Sequence, residues 1–314
     1  MNRRKFIRRS LAVSTAVAWG TSYEEQALLA QTDNAPSSKA PEPADSFPMG
    51  RLGQLRISRL ICGGNLISGF AHSRDLLYVS PLLKHYFGDA KVMETLALCE
   101  QHGINTTILR LDDETVRLLK RYRRERQGKI QWIAQVKLPA NDPFQEIKRA
   151  VDEGAVAVFV HGGVGDERVQ QGQVGDLAKA LAAIRREGVL AGIAGHSIEV
   201  PKAVERAGLK PDFYMKTFNS KNYWSAGPMP RNDSVWEETP EETRSFMADV
   251  ECPWIGYKVL GAGAIHPEQG FRYAFDHGAD FICVGMFDFQ VAEDARIARA
   301  AVAKAYNRER PWLA

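Results

Sequence analysis

Between Leu55 and Glu309 the sequence alternates, eight times without a break, a short apolar run with a longer amphipathic stretch. "LRISRLICGGN" ends in glycines, as a strand entering a loop does, and "KVMETLALCEQHG" follows with helical spacing and a stop at Gly103. "INTTILR" is short and β-branched. "DDETVRLLKRYRRERQG" opens with acids, closes with bases and stops at Gly128, the order a helix dipole favours. "IQWIAQVKL" and "DPFQEIKRAVDEG" form the next pair, then "AVAVFVHGG" and "DLAKALAAIRREG", then "LAGIAGHS" and "VPKAVERAG". "DFYMKTFN" with "TPEETRSFMADV", "PWIGYKVLGAG" with "PEQGFRYAFDHG", and "ADFICVGMFD" with "VAEDARIARAAVAKAYNRE" complete the series. Nearly continuous apolar runs such as "AVAVFV" belong to strands buried on both faces.

Parallel strands require crossover helices, and eight such units can close on themselves. A doubly wound open sheet would alternate in the same way. The count of eight and the length from Met49 to Ala314, near the ~250 residues typical of the closed form, select an α/β fold of the (β/α)8 TIM-barrel type. "MGRLGQLRIS" predicts a short hairpin ahead of the first barrel strand.

The N-terminus is organised differently. Five cations (Arg3, Arg4, Lys5, Arg8, Arg9) precede an apolar stretch from Ser10 to Gly20 that is too short to span a bilayer as a helix. That layout is an export signal, and Arg3-Arg4-Lys5-Phe6-Ile7-Arg8 resembles the twin-arginine motif. The expected partners are therefore the twin-arginine export machinery and a small-molecule substrate, with a periplasmic or secreted location and no stable membrane anchor. Residues 1–30 are assigned to the signal, 31–48, rich in Pro, Ser and Ala, to a flexible linker, and 49–314 to the barrel. Ala16-Val17-Ala18 fits the small-x-small rule for cleavage, and Leu28-Leu29-Ala30 is the later candidate. The whole chain has 41 Lys+Arg and 38 Asp+Glu, and residues 1–30 hold five and two of these, leaving 36 of each in the remainder. The body thus lacks the basic field that nucleic acid needs. Four cysteines (Cys62, Cys99, Cys252, Cys283) show no metal-ligand spacing and read as buried free thiols.

In a TIM barrel the chemistry sits at the C-terminal ends of the strands. Those ends carry Asn65, Arg110 with Asp112 and Asp113, Lys137, His161, His196 with Ser197, Lys216, Lys258 and Gly285. Three lysines and two histidines converging on one face predict a catalytic set of Lys137, His161, Lys216 and Lys258. Two long connections read as binding loops. The first carries His72, Arg74 and Tyr78, the second Tyr223 and Trp224. With Asn65, His196 and Asn219 these form the expected substrate contacts, suited to a sugar or another small polar carbonyl compound. Gly261, Gly263 and Gly285, next to Met286, lie where many barrels cup a phosphate.

These stretches resemble the aldo/keto reductases over nearly the whole body. "RLGQLRISRLICGGN" is similar to that family's opening hairpin and first strand, "CEQHGINTTILR" to its Gly-Ile-Asn stretch, "IQWIAQVK" to the strand ending in its catalytic Lys, and "VAVFVHGG" to the strand ending in its catalytic His. "GIAGHS" looks like the strand ending in Gly-x-Ser-Asn, and "VGMFDFQVAEDARI" like its final strand and helix. The resemblance implies an oxidoreductase using NADP or NAD, with Lys137 and His161 catalytic and Ser197, Gly261, Gly263, Gly285 and Met286 at the cofactor. The family's Asp falls at Ile108, its Asn after Gly-x-Ser falls at Ile198, no Tyr stands in the usual place, and the basic residues that hold the cofactor's 2′-phosphate have no match. Tyr78 and Tyr214 are the candidate replacements for the proton donor. The alternatives are a Schiff-base lyase or aldolase using a strand-end Lys, a metal-assisted site at His161, His196 and Asp112 for which no tight ligand motif exists, and a barrel that binds a ligand without turnover.

Overall fold

The structure, a computed structural model, describes residues 47–70, 76–139, 142–222 and 237–314. The export signal, nearly all of the linker, and His72, Arg74, Tyr223 and Trp224 lie outside the described residues. A hairpin of β1 (Met49–Leu52) and β2 (Leu55–Ser58) precedes eight parallel strands: β3 (Leu60–Gly63), β4 (Thr106–Arg110), β5 (Gln131–Val136), β6 (Ala157–Val160), β7 (Leu190–Gly195), β8 (Phe213–Thr217), β9 (Trp254–Tyr257) and β10 (Phe281–Val284). They run in sequential order, and β10 pairs with β3 to close the barrel. The fold is the TIM barrel that the eightfold alternation predicts.

Side chains alternate across each strand, so the barrel has two apolar layers. Inside lie Ile61, Ile108, Ile133, Phe159, Ala194, Phe213, Met215, Ile255 and Phe281, with Leu52 and Ile57 of the hairpin packed against them as a plug. Outside, residues such as Trp132, Val158, Ile193, Tyr214, Trp254 and Ile282 face the helices. A tail at the hairpin end ties the chain back to the barrel. Arg310, which is buried, donates to Asp280 Oδ2 at 2.7 Å and to the carbonyls of Val250 and Cys252, both at 2.7 Å.

Ten helices are described: α1 (Val79–Tyr86), α2 (Asp89–Gln101), α3 (Asp113–Arg126), α4 (Gln145–Asp152), α5 (Gly162–Gln170), α6 (Val174–Arg186), α7 (Glu199–Arg206), α8 (Pro240–Ala248), α9 (Pro267–Asp276) and α10 (Val291–Lys304). The acid-to-base polarity read in α3 is realised: Asp112 caps it by accepting from the Thr115 N–H at 2.7 Å, and three arginines occupy its last turn. Helices α1 and α5 fall in stretches that sequence alone assigns to loop. Helix α5, "GGVGDERVQ", is hidden by three glycines, and those glycines have a reason. A Cβ on Gly165 would drive into the Ala194 carbonyl of β7, so α5 packs directly on strand backbone.

Candidate active site

The alternation that builds the two layers also decides which strand-end residues look into the barrel mouth. Counting by twos from the inner residues gives Arg110 from Ile108, Lys137 from Ile133, His161 from Phe159, His196 from Ala194, Thr217 from Met215 and Tyr257 from Ile255. Lys137, His161 and His196 therefore share one face, as the sequence predicts. Lys216 does not. It has the parity of Tyr214, in the outer layer, and is fully buried.

Lys216 is instead the centre of a closed polar cluster. Its ammonium donates to the His196 carbonyl at 2.7 Å, the Thr217 carbonyl at 2.9 Å and Glu237 Oε2 at 2.9 Å. Glu237, equally buried, accepts at Oε1 from the Thr239 N–H and the Thr243 hydroxyl, both at 3.1 Å. Burial lowers the Lys216 pKa, and Glu237 opposes that shift. All three ammonium hydrogens are taken. The expected catalytic role of Lys216 gives way to a structural one: it holds the strand end from which His196 projects.

His196 is held from the other side by Asp166 on α5. Asp166 accepts from the backbone N–H groups of His196, at 3.0 Å to Oδ1, and Ser197, at 3.0 Å, and its Oδ2 lies 2.6 Å from His196 Nδ1. Ser197 is exposed, and its hydroxyl accepts from the Glu199 N–H at the start of α7. His161 caps α5: its Nδ1 accepts from the Gly163 N–H at 3.2 Å. The two rings stand 6.4 Å apart, centroid to centroid. Burial pushes the His161 pKa down to about 4, helped by His196, Lys137 and Lys258, while Asp166 opposes. Burial also lowers the His196 pKa, against the pull of Asp166. Burial thus favours the neutral form of both imidazoles.

The third member is Tyr257, which sequence reasoning passes over. Its ring lies 5.6 Å from that of His196. A Cβ added to Gly162 would stand 2.7 Å from the Tyr257 hydroxyl and 3.0 Å from His196 Cε1, so only a glycine at this position lets both side chains pack this close. Among the described residues the buried Tyr257 and Thr217 hydroxyls have no partner that meets hydrogen-bond geometry, although Thr217 stands near enough to Tyr257 to favour its ionised form. Burial raises the Tyr257 pKa well above the usual phenol range. Lys258 follows in the left-handed region, φ 58°, with its ammonium 5.9 Å from the Tyr257 ring. Tyr214, the alternative donor, faces away from the mouth and donates to Glu205 Oε1 at 2.7 Å.

The remaining expected contacts scatter. Asn65 and Tyr78 are exposed on the connection after β3. Asn219 is buried: its amide donates to the Lys258 carbonyl at 3.2 Å and its Oδ1 accepts from the Lys221 N–H, so it ties the β8 and β9 ends together. Met286 packs in the outer layer. Gly285 lies against Leu66. Gly261–Gly263 form a 3-10 turn in which the N–H groups of Gly261, Gly263 and Ala264 donate to carbonyls of the turn itself. The helix N-termini beside it carry Glu268 in α9 and Glu293 and Asp294 in α10. The Gly261, Gly263 and Ala264 N–H groups are engaged within the turn, so in this structure they do not face an anion. The sequence expects a phosphate here, and the turn as it stands offers it none of these three N–H groups.

The helix that presents Asp166 depends on its contact with β7. Gly165→Ala is expected to cost about 1–3 kcal/mol, because the added methyl meets backbone that cannot turn aside. Urea unfolding measures it. A variant as stable as wild type would show that α5 can shift freely, and the placement of Asp166 would lose its basis.

No family model matches the chain, and no curated protein matches it. Solved structures do. Two structures assigned as aldo-keto reductase from Pseudomonas aeruginosa align over 81% of this chain: one at 20% identity and TM-score 0.58, covering 94% of its own chain, the other at 19% and 0.59, covering 96%. The holo form of an aldo-keto reductase from Bacillus halodurans aligns over 84% of this chain and 100% of its own at 13% identity and TM-score 0.50. These likenesses are of fold, and the chain has the eight-stranded parallel barrel, with its helices, that those aldo-keto reductases have.

Proposed function

We propose that the barrel mouth is the active site of an oxidoreductase-like enzyme acting on a small polar carbonyl compound, with Tyr257 as its proton donor. The reading is carried by one observation: among the described residues the buried Tyr257 hydroxyl has no partner at hydrogen-bond geometry, and it stands beside His196 and Gly162. Leaving a buried donor unpaired costs about 1–3 kcal/mol, and a carbonyl oxygen is an acceptor that removes the cost. The raised phenol pKa keeps the proton on oxygen at pH 7. His161, with its Nδ1 engaged, offers Nε2–H as a second donor to a developing oxyanion. Lys137, exposed at the end of β5, and Lys258 add positive potential, which is felt at His161.

Reduction also needs a hydride source. The Gly261, Gly263 and Ala264 N–H groups after β9 are engaged within their own turn, and no step is assigned to NADP or NAD. Trial turnover of small aldehydes, ketones and aldoses with NADPH and NADH tests the reading directly. Tyr257→Phe is expected to lower kcat/KM about 100-fold without loss of fold. Full activity in that variant, or none in wild type with either donor, defeats the proposal. A Schiff-base reading keeps one observation in its favour, the inward parity of Lys137. Borohydride trapping of a substrate on Lys137 would put it in place of the reductase reading, and calorimetric binding with neither product nor adduct would leave a ligand-binding barrel.

A further inference from the structure

We infer that the same mouth catalyses a second, redox-neutral reaction: proton transfer at the carbon beside a carbonyl, with His196 as the base and His161 as the donor to the oxygen. The inference rests on the reading that a carbonyl compound binds there, but not on any hydride step. It starts from the two tautomers. His196 Nδ1 lies 2.6 Å from a carboxylate oxygen, an acceptor, so Nδ1 carries the hydrogen and the Nε2 lone pair is left to accept a proton. His161 Nδ1 accepts from the Gly163 N–H, so the hydrogen sits on Nε2 and that nitrogen donates. One neutral imidazole that accepts and one that donates, with ring centroids 6.4 Å apart, is the pairing that enolisation requires.

Asp166 acts through His196 and is a positioning residue. It fixes the ring by one bond to Nδ1 and fixes the strand end by bonds to the N–H groups of His196 and Ser197. The burial that lowers both histidine pKa values keeps the pair neutral, which both roles need. In the step itself, His196 Nε2 takes the proton from the α-carbon. The C–H electron pair becomes the new carbon–carbon π bond, and the carbonyl π pair moves onto oxygen. The His161 Nε2–H hydrogen-bonds that oxygen, with Lys137 and Lys258 supplying positive charge. Return of a proton from His196 to carbon regenerates the carbonyl. Nothing is oxidised or reduced. The substrate class is an enolisable carbonyl compound with a hydrogen on the neighbouring carbon.

The test is exchange of the methylene hydrogens of hydroxyacetone in D2O, followed by proton NMR, with no nicotinamide nucleotide present. Wild-type protein is expected to exchange them at a rate proportional to protein concentration, and His196→Gln and Asp166→Asn to slow this at least about tenfold. Nitrogen-15 NMR of the wild type is expected to find His196 protonated on Nδ1 and His161 on Nε2, and Asp166→Asn to move the His196 hydrogen toward Nε2. No exchange above buffer, or the reverse tautomer at either ring, overturns the inference even if neither variant folds. Because the assay holds no hydride donor, that failure leaves the reductase reading standing, and absence of NADPH or NADH turnover leaves this inference standing.

Discussion

Lys216→Met is expected to lose about 3–5 kcal/mol of stability, and Lys216→Met with Glu237→Gln to recover much of it. The single change removes a cation from a site with 1% exposure on both partners and leaves the Glu237 carboxylate buried without its counter-charge. It also strips the donor from the carbonyls of His196 and Thr217. The double change takes away the stranded charge, while Gln still offers an acceptor to Thr239 and Thr243. Urea unfolding of the three proteins reads the effect, and in a thermal scan the single variant should melt on the order of 10 °C lower. The opposite outcome has a clear meaning. A Lys216→Met protein as stable as wild type but inert in every carbonyl assay would return Lys216 to the catalytic set in which strand-end position alone puts it.

Lys216 shows which information the sequence holds and which it hides. The strands, their order and the barrel are legible because each apolar run is buried on both faces and each helix is amphipathic. Lys137, His161 and His196 are legible because each terminates such a run with inward parity. Lys216 terminates one with the other parity. The residue two places beyond Met215 is Thr217, so Lys216 belongs with Tyr214 and the helices. The same count by twos gives Tyr257 from Ile255, while Lys258, the next residue, carries the charge but leaves the strand in a left-handed turn.

Asp166 is a different case. It sits in a stretch whose glycines mimic a loop, and only the contact of α5 with β7 makes those glycines helical. The glycines after β9 mislead in the reverse direction. Their spacing is that of a phosphate cup, but whether a backbone N–H is free or already bonded inside its own turn depends on φ and ψ values that composition does not carry.

The acid stability of the protein should turn on two buried groups that work against each other. His161 has its pKa lowered from 6.5 to about 4, by burial first and then by neighbouring His196 and Lys137. Below pH 6.5 the unfolded chain takes up a proton there that the folded chain refuses. His161 therefore contributes stability that is full above 6.5 and is lost as pH falls toward 4, about 3 kcal/mol in all. Asp294 on α10 has its pKa raised from 3.8 to about 7, by burial and then by Glu293. Its sign is the reverse. The folded chain holds that proton more tightly, so the contribution is full below 3.8 and is lost as pH rises through 7, roughly 4 kcal/mol. Over pH 4 to 6.5 the two slopes oppose, and the wild type should be flatter than either group alone would make it. Asp294→Asn is expected to be several kcal/mol more stable than wild type at pH 8 and close to it at pH 4. His161→Gln should remove the loss on the acid side, so that its stability relative to wild type improves by about 3 kcal/mol between pH 6.5 and 4. Urea midpoints across this range measure both differences. Curves for the two variants that run parallel to wild type would mean that neither group is titrating against its burial, and the neutral His161 on which the site depends would have no support.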